Sequence, residues 1–295
     1  MSNIIAIDIG GTSIKYGVLN LTGDILLKGE IKTRVINKDN FILEDVDNLI
    51  SKLTKDFVIS GVAISTAGVV SSKTGVIDYA GPTIPNYIGT DFRKLVNEKY
   101  NLKCSVENDV NSAALGEFWL GSGKKFKSGF CLTIGTGIGG ALVIDNKLIN
   151  GASDVAGEIG YMKINGVSIQ DIASTTALVK FVAKRKNINI GDINGKIIFD
   201  LAKKGDLICT EEIKNLVKNI CSALENLVYI VNPEVIILGG GIMEQKEYLE
   251  PLFNEEFKKL LPEKFINNTK IKFASLGNKA GMMGALKKFK DENSL

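Results

Sequence analysis

The chain opens with an apolar strand that runs into an aspartate and a pair of glycines. The stretch is Ile4-Ile5-Ala6-Ile7-Asp8-Ile9-Gly10-Gly11-Thr12, and a second strand-like segment, residues 14–19, follows it. Glycine lets a backbone approach a ligand closely, and successive backbone N–H groups form a concavity that binds anions. The stretch therefore fits a phosphate-binding turn between two strands, with Asp8 beside it to hold a hydrated Mg²⁺. It fits equally well an ordinary hairpin whose glycines serve the turn and whose Asp8 caps it.

The same pattern recurs in the middle of the chain. A predicted strand over residues 129–134 runs into Gly135-Thr136-Gly137, and two more predicted strands follow over residues 139–144 and 147–150. This order matches residues 4–33, so an internal structural repeat is the simplest explanation. Two facing glycine turns are able to clamp one polyphosphate, and the repeat therefore favours the phosphate interpretation of both.

Hydrophobic periodicity predicts the remaining elements. Further strands are predicted over residues 57–65, 104–107, 234–238 and 270–274, and helices over residues 40–54, 92–100, 109–119, 173–186, 197–203, 211–231 and 280–289. Two α/β halves joined by helices predict two domains with a cleft between them, which is a favoured place for ligands. We place the first domain over residues 1–107 and the second over 108–283, with the closing helix, 284–295, packed on the first.

Composition excludes several kinds of chemistry. The chain has no histidine, which rules out a histidine base, a histidine-ligated metal and a Ser-His-Asp triad. Its four cysteines, Cys104, Cys131, Cys209 and Cys221, are scattered. That spacing argues against a zinc site and fits a reducing cytoplasm.

Charge and hydropathy indicate where the protein works. No apolar run approaches the ~20 residues that span a membrane, and the first strand begins too early to leave room for a signal peptide. The net charge is only +3, and we interpret the lysine pairs at 124–125 and 287–288 as solvated surface rather than nucleic-acid patches. We therefore expect a cytoplasmic protein that binds neither membranes nor nucleic acid.

Asp109 is the acidic residue that the sequence singles out first. It lies where a predicted strand gives way to a helix, within Glu107-Asn108-Asp109-Val110-Asn111. Aspartate commonly caps a helix at such a point, and the spacing alone favours that role. The neighbouring asparagines are more polarity than one cap requires, so Asp109 also fits a base for a sugar hydroxyl, with the amides holding other hydroxyls.

Two weaker candidates lie further along the chain. Gly239, Gly240 and Gly241 follow a predicted strand, a place where glycine is common without any ligand. Glu158 lies between glycines in residues 156–161 and is either a hydrogen-bonding acid or a solvated loop residue. No G-x-G-x-x-G opens a βαβ unit and no P-loop motif occurs, so neither of those nucleotide sites is expected.

Together these motifs resemble the ROK sugar kinases of the actin/Hsp70/sugar-kinase superfamily. The resemblance spans almost the whole chain and rests on residues 8–12, 107–111, 135–140 and 156–160, in that order and separation. It implies an α/β, actin-like ATPase fold with a ribonuclease H-like core in each of two lobes, and ATP with Mg²⁺ bound in the cleft between them. Family members are often homodimers, so by analogy a homodimer is expected.

The resemblance also implies a role for each motif. Asp109 is expected to deprotonate the sugar 6-hydroxyl for attack on the γ-phosphate, and Asp8 to assist Mg²⁺ through water. The residues expected at ATP are Gly10, Gly11, Thr12, Gly135, Thr136 and Gly137 at the phosphates, with Gly239, Gly240 and Gly241 near the adenosine. The residues expected at the sugar are Ser65, Gly68, Asn86, Asn108, Asp109 and Glu158, with Tyr161 and Gln170.

The chain departs from the family pattern at its zinc site. Most members carry a histidine after the Gly-Glu-Ile-Gly segment and then a cysteine run, whereas this chain has Tyr161 and only a short link over residues 163–169. The second sugar-binding glutamate of the family aligns loosely with Gln170. We therefore expect no zinc, and the hydroxyl that the histidine normally binds to be met by Tyr161, by Gln170 or by no side chain.

Residues 79–87 bear on the choice of sugar. With the missing zinc site, they are similar to the zinc-less N-acetylmannosamine kinases of bacterial sialic-acid catabolism, which predicts phosphorylation of N-acetylmannosamine at its 6-hydroxyl. β-Glucoside kinases and glucokinases are the alternatives within the same chemistry. From another class, a sugar sensor without turnover or a ROK repressor remains open. The presence of both Asp8 and Asp109 argues against the sensor, and Asp8 comes too early for the helix-turn-helix of the repressors.

Overall fold

The computed structural model describes residues 2–81 and 84–295, so Pro82 and Thr83 of the predicted substrate segment lie outside the described residues. The strands are β1 (Asn3–Ile9), β2 (Ser13–Asn20), β3 (Ile25–Lys32), β4 (Val35–Ile36), β5 (Asp39–Asn40), β6 (Ile59–Thr66), β7 (Val69–Val70), β8 (Ile77–Tyr79), β9 (Lys103–Asn108), β10 (Gly129–Ile134), β11 (Ile138–Ile144), β12 (Lys147–Ile149), β13 (Lys163–Ile164), β14 (Val167–Ser168), β15 (Val235–Gly239) and β16 (Lys270–Phe273). The helices are α1 (Ile42–Asp56), α2 (Phe92–Tyr100), α3 (Asp109–Leu120), α4 (Ile169–Ala173), α5 (Thr175–Lys186), α6 (Gly195–Lys203), α7 (Leu207–Val231), α8 (Lys246–Leu260), α9 (Glu263–Asn268) and α10 (Ala280–Glu292).

The chain divides into two compact units. The first contains the chain up to Lys124 with Leu148–Ala156 and Asn278–Leu295, and the second contains Lys125–Lys147 with Gly157–Gly277. The sequence prediction started the second domain at residue 108, whereas α3 lies in the first unit. The reason is close packing, since Gly284 of α10 touches the main chain of Ser112 in α3 so closely that a Cβ would collide with it.

The first unit is built on a five-stranded sheet in the order β3-β2-β1-β6-β9. The central strand β1 pairs antiparallel with β2 and parallel with β6, and β6 pairs parallel with β9. Residues Ile4 to Ile7 are completely buried, as expected for a central strand with both faces covered. The register places Asp8 beside Ser65, and Ser65 beside Glu107, so the three parallel strands deliver polar residues to one edge of the sheet.

The second unit repeats this arrangement. Its sheet has the order β12-β11-β10-β15-β16, in which β10 pairs antiparallel with β11 and parallel with β15, and β15 pairs parallel with β16. Strand order is therefore the same in the two sheets, and so is the orientation within the three central pairs described for each. This confirms the internal repeat that the glycine turns predicted.

All the strands and helices predicted from periodicity form, with ends displaced by a few residues. Helix α7 begins earlier than predicted because Asp206 caps it, accepting a hydrogen bond from Cys209 N at 2.9 Å. Helix α8 had no prediction, although its buried residues Leu249, Phe253 and Phe257 recur at helical spacing. The short link after Tyr161 contains the paired strands β13 and β14, and α4 follows it directly. In the described part of the chain, no helix combines the length and apolarity that crossing a bilayer requires.

Candidate active site

Asp8 lies at the carboxyl end of β1, in the first unit. Its Oδ1 accepts a hydrogen bond of 2.7 Å from Ser65 Oγ at the end of β6. The carboxylate also packs directly on Gly281 in the first turn of α10, where a Cβ would lie 2.5 Å from the Asp8 Cγ. Burial raises the pKa of Asp8, and the Ser65 hydrogen bond and the charge of Lys15 partly oppose this. Asp8, which is predicted to assist the metal, and Ser65, which is predicted to bind the sugar, are therefore in direct contact.

The turn after β1 exposes its tip. Gly10 N donates to Ser13 O at 3.0 Å, and Thr33 Oγ1 donates to Gly10 O at 2.7 Å. Gly11 and Thr12 are exposed at the tip. The turn is thus closed at its base, and its outermost backbone faces solvent, as a phosphate-binding loop requires.

Asn108, at the end of β9, caps helix α3. Its Oδ1 accepts hydrogen bonds from Val110 N at 2.9 Å and Asn111 N at 3.1 Å, and its Nδ2 donates to Gly68 O at 2.8 Å. The cap that the spacing had favoured for Asp109 is therefore made by Asn108, and the interpretation of Asp109 as the cap is wrong. Asp109 is the first residue inside the helix, where the positive end of the helix favours its charge.

The Asp109 carboxylate is half-buried and oriented by its neighbours. Its Oδ1 accepts hydrogen bonds from Asn108 Nδ2 at 3.1 Å and Val110 N at 2.9 Å. The buried Tyr87 hydroxyl lies 2.5 Å from Thr66 Oγ1. Burial raises the pKa of Tyr87, and the negative charge of Asp109 raises it further, whereas the hydrogen bond with Thr66 lowers it. Asp109 therefore lies close to a neutral phenol at neutral pH.

Asn86 lies on an exposed loop. Its backbone has φ +52°, and its Nδ2 donates to Asp39 Oδ1 at 3.3 Å. Asp39 and Asn40 form β5 of the β4–β5 hairpin, and Asn40 donates from Nδ2 to Pro85 O at 2.7 Å. The predicted sugar residue Asn86 is thus tied to the β4–β5 hairpin, which sequence reasoning did not connect with the site.

The second glycine turn lies in the second unit. Gly135 N donates to Gly137 O at 2.9 Å, and Gly135 O accepts from Thr175 N, at the start of α5, at 2.9 Å. Gly240, with φ +100°, packs so tightly on the main chain of Ile134 that a Cβ would collide with it. The glycine run that follows β15 therefore supports the second turn from behind, with Gly239 still inside the strand.

A pocket of about 730 Å³ opens next to this turn, entirely within the second unit. Three predicted nucleotide residues, Gly135, Thr136 and Gly241, line it. The others had not been predicted, and they are Thr175, Thr176, Val179, Ile190, Ile193, Asn194, Gly195, Lys196, Phe199, Ile242, Glu244 and Gln245. Only the helix start at this wall could have been found in the sequence, because Asn194-Gly195 before an apolar run is typical of the beginning of a helix. In the structure, Asn194 Oδ1 does accept a hydrogen bond from Ile197 N at 3.0 Å.

Glu158, Tyr161 and Gln170 lie near each other in sequence but differ in their surroundings. Loss of hydration raises the pKa of Glu158. Tyr161 is exposed, at the end of the short 3₁₀ turn Ile159–Tyr161. Gln170 in α4 lies against the second glycine turn, with its Oε1 3.3 Å from where a Cβ on Gly137 would be.

Within residues 2–81 and 84–295, no three His, Cys, Asp or Glu side chains come together as a potential metal site. The absence of a zinc site remains a prediction. Asp8 is the predicted magnesium-assisting acid, and a carboxylate oxygen is the kind of ligand that Mg²⁺ takes.

Comparison with known proteins places these features in a family. The model of the ROK family matches residues 4–292. An uncharacterised protein of Clostridium perfringens is 53% identical and covers 97% of both chains, and a β-glucoside kinase of Listeria monocytogenes is 30% identical over 99% of this chain and 98% of its own.

Solved structures agree. A proposed N-acetylmannosamine kinase from Listeria monocytogenes superposes with a TM-score of 0.87 at 29% identity, covering 99% of each chain. A ROK family glucokinase from Streptomyces griseus, in complex with glucose and AMPPNP, superposes with a TM-score of 0.82 at 28% identity, covering 97% of this chain and 98% of its own. The two repeated sheets have the arrangement of the actin-like ATPase fold, which confirms the predicted α/β fold class. The chain belongs to the ROK family.

Proposed function

We propose that this protein is a MgATP-dependent sugar kinase and that it phosphorylates the 6-hydroxyl of N-acetylmannosamine. The kinases among its relatives support phosphoryl transfer to a sugar. The observation that carries the proposal is the placement of Asp109 in the first turn of α3, with Asn108 beside it making the helix cap. The positive end of a helix favours the charged form of a carboxylate so placed, and hydrogen bonds orient it, which suits a general base.

The reaction needs one proton transfer and one displacement. Asp109 accepts the proton of the sugar 6-hydroxyl, and the oxygen forms a bond to the γ-phosphorus as the bond to the β-phosphate oxygen breaks, which leaves ADP. Phosphoryl transfer depends mainly on positioning and on stabilising charge. The chain's own contribution is therefore to fix the acceptor and to hold the phosphates.

The second unit suits the nucleoside. A pocket of about 730 Å³ falls within the ~300–1,000 Å³ usual for small-molecule sites. Its apolar walls, among them Ile193 and Phe199, suit an adenine ring, and Thr136 at its edge suits a phosphate. In the first unit, Gly10 to Thr12 offer exposed backbone for phosphate and Asp8 offers oxygens for hydrated magnesium. When bound, Mg²⁺ neutralises charge that develops on the phosphoryl oxygens.

The residues proposed to bind the sugar are Ser65, Gly68, Asn86, Asn108, Glu158, Tyr161 and Gln170. N-acetylmannosamine is favoured by residues 79–87, by Tyr161 in place of a histidine and by the likeness to the Listeria protein of that proposed activity. The second candidate is a β-glucoside, because a β-glucoside kinase is 30% identical over nearly the whole chain.

A coupled ADP-release assay across N-acetylmannosamine, N-acetylglucosamine, glucose and cellobiose tests the proposal. The highest kcat/KM is expected with N-acetylmannosamine. A preference for cellobiose would transfer the assignment to β-glucosides. No ADP with any of the four sugars would leave only a sugar-binding sensor.

Replacing the proposed base tests the mechanism. Asp109→Asn should lower kcat by ~10²–10⁴-fold, the usual contribution of general-base catalysis, with an unchanged melting temperature. Glu263→Gln is the matched control, since Glu263 is also an acid in the first turn of a helix but lies in α9. Near-normal turnover of Asp109→Asn would remove Asp109 from the role of base.

A further inference from the structure

The motif at residues 107–111 contains two residues that the proposed reaction does not use. Glu107 and Asn111 are both buried, at 4% and 8% exposure. Glu107 Oε1 accepts hydrogen bonds from Asn108 N at 2.9 Å and from Asn111 Nδ2 at 3.0 Å. One oxygen of Glu107 therefore binds both the main chain of the residue that precedes Asp109 and the side chain of Asn111 in the first turn of α3.

The other oxygen of Glu107 meets a cation from α10. Lys288 Nζ lies 3.0 Å from Glu107 Oε2, and the two side chains are 17% and 5% exposed. The sequence prediction treated residues 287 and 288 as one solvated pair, which is wrong for Lys288. Its neighbour Lys287 forms an ion pair with Asp291 of the same helix, whose side chain is 48% exposed.

Lys288 is charged in this setting. Burial alone would lower its pKa, but attraction to Glu107 and the hydrogen bond between them outweigh burial, and the pKa is raised. Lys288 is also 3.6 Å from Glu292, whose carboxylate lies 2.9 Å from Arg93 Nη2 in α2. The ion pair thus joins strand β9 to helix α10, and Glu292 links its lysine to Arg93 of α2.

We propose that Lys288 and Glu107 are positioning residues that fix the turn carrying Asn108 and Asp109. Lys288 holds the Glu107 carboxylate, Glu107 holds the Asn108 N–H, and Asn108 in turn donates its side-chain amide to Asp109 Oδ1. The role rests on the proposed function, because it acts through Asp109.

A buried ion pair is an inefficient way to stabilise a fold. Two well-packed apolar side chains of similar volume are often as stable or more so, because charges lose hydration on burial. Apolar side chains would not accept the Asn108 N–H or the Asn111 amide. The geometry at the Asn108 main chain is what the charged pair supplies and an apolar pair does not.

The test compares two adjacent lysines of α10. Lys288→Met should lower kcat roughly tenfold, within the ~10²-fold that a 1 Å misplacement costs, and leave KM for MgATP unchanged. Lys287→Met, the matched control, should leave both constants at the wild-type values. Lys288→Arg keeps the charge and should restore most of kcat.

Coupling to Asp109 separates positioning from plain stability. In the Asp109→Asn background, Lys288→Met should still lower the melting temperature but should have no further effect on kcat, because residues that act as a unit are not additive. A full kcat for Lys288→Met, or an equal loss of kcat in both backgrounds, would overturn the positioning role alone. A normal kcat for Asp109→Asn would overturn the proposed base and this role with it.

A second variant covers the case in which Lys288→Met does not fold. Breaking one side of a buried pair leaves an uncompensated charge, which is strongly destabilising. The double variant Glu107→Gln with Lys288→Met removes that charge and should fold. Its kcat should stay below wild type because the anchor from α10 is gone, and a wild-type kcat in the folded double variant would also overturn the proposal.

Discussion

The two glycine turns share a backbone design but differ in what surrounds them. Each follows a central strand and leads into an antiparallel partner, and the pairs Ile9–Ile14 and Ile134–Ile138 occupy equivalent positions. One residue earlier the two differ. The first turn has Asp8 opposite Lys15, whereas the second has Thr133 opposite Gly139.

The groups that hydrogen-bond to the first glycine of each turn also differ. Gly10 O is held by a side chain, Thr33 Oγ1, and the turn lies near a carboxylate that packs on Gly281. Gly135 O is held by the main chain of Thr175, a residue that also lines the pocket. The first copy thus has charged side chains beside its turn, and the second has a pocket beside its turn. We propose that the repeat is divided in function accordingly, with charges at the first copy for the reacting phosphate and space at the second for a ligand.

Among the effects that distinguish the two turns, the largest is expected from the loss of the carboxylate at the first turn. Asp8→Asn should lower kcat by roughly 100-fold or more, because metal-assisted charge stabilisation supplies several kcal/mol and each ~1.4 kcal/mol is tenfold. Steady-state kinetics over a range of Mg²⁺ concentrations measures this loss. KM for the sugar should change little.

The matched control lies at the equivalent place in the second turn. Thr133→Ala should leave kcat close to wild type, because Thr133 carries no charge. If Thr133→Ala lost as much activity as Asp8→Asn, the two turns would not be divided as described.

The next effect concerns space at the second turn. A Cβ on Gly241 would meet no atom within 4 Å, so Gly241→Val extends into the pocket without disturbing the fold. KM for ATP should rise roughly tenfold, because bulk forced into an occupied site costs ~1–3 kcal/mol, while kcat at saturating ATP should hold.

Calorimetric titration with ADP should show the same loss of affinity, and Gly241→Ala should show a smaller one. An unchanged KM for ATP in Gly241→Val would place the nucleotide outside this pocket.

Much of the fold was predictable because local patterns and packing agree. Apolar runs such as residues 4–7 identified the central strands, and the glycine turns revealed the repeat. The domain boundary was not predictable, since the assignment of α3 depends on how Gly284 contacts Ser112 across the chain. Helix α8 was not predicted, although its apolar residues recur at helical spacing and the sequence therefore does contain the signal for it.

The residues of the candidate site also fall into those that local sequence reveals and those that depend on contacts between distant parts of the chain. Asp8, Asn108 and Asp109 were identifiable because each lies at the carboxyl end of a strand or directly after it. Lys288 was not, because adjacent residues on a helix point about 100° apart, so the neighbouring Lys287 gives no information about its burial. The pocket was missed because its walls come from several separate segments of the second unit.

The smallest expected effect is on stability, and it also distinguishes the two turns. Burial raises the folded-state pKa of Asp8 above the ordinary value of 3.8. Between those two pKa values the folded state binds more protons than the unfolded state, so this group makes the protein less stable as pH rises through that window. Above the window the full penalty remains. Asp8→Asn should therefore raise the melting temperature at neutral pH, by about 2 °C or less for each ~1 kcal/mol of penalty, because that shift falls as chain length rises.

Melting curves of wild type and Asp8→Asn from pH 7 downward test the sign. The advantage of Asp8→Asn should be greatest at neutral pH and should vanish as the pH falls well below 3.8, where Asp8 is protonated in both states of the wild type. Thr133→Val, at the equivalent position of the second turn, should show no such pH-dependent difference from wild type. A lower melting temperature for Asp8→Asn at pH 7 would mean that attraction to Lys15 and the Ser65 hydrogen bond outweigh burial. The first turn would then be stabilised by its charge, and keeping Asp8 for the reaction would not come at the expense of the fold.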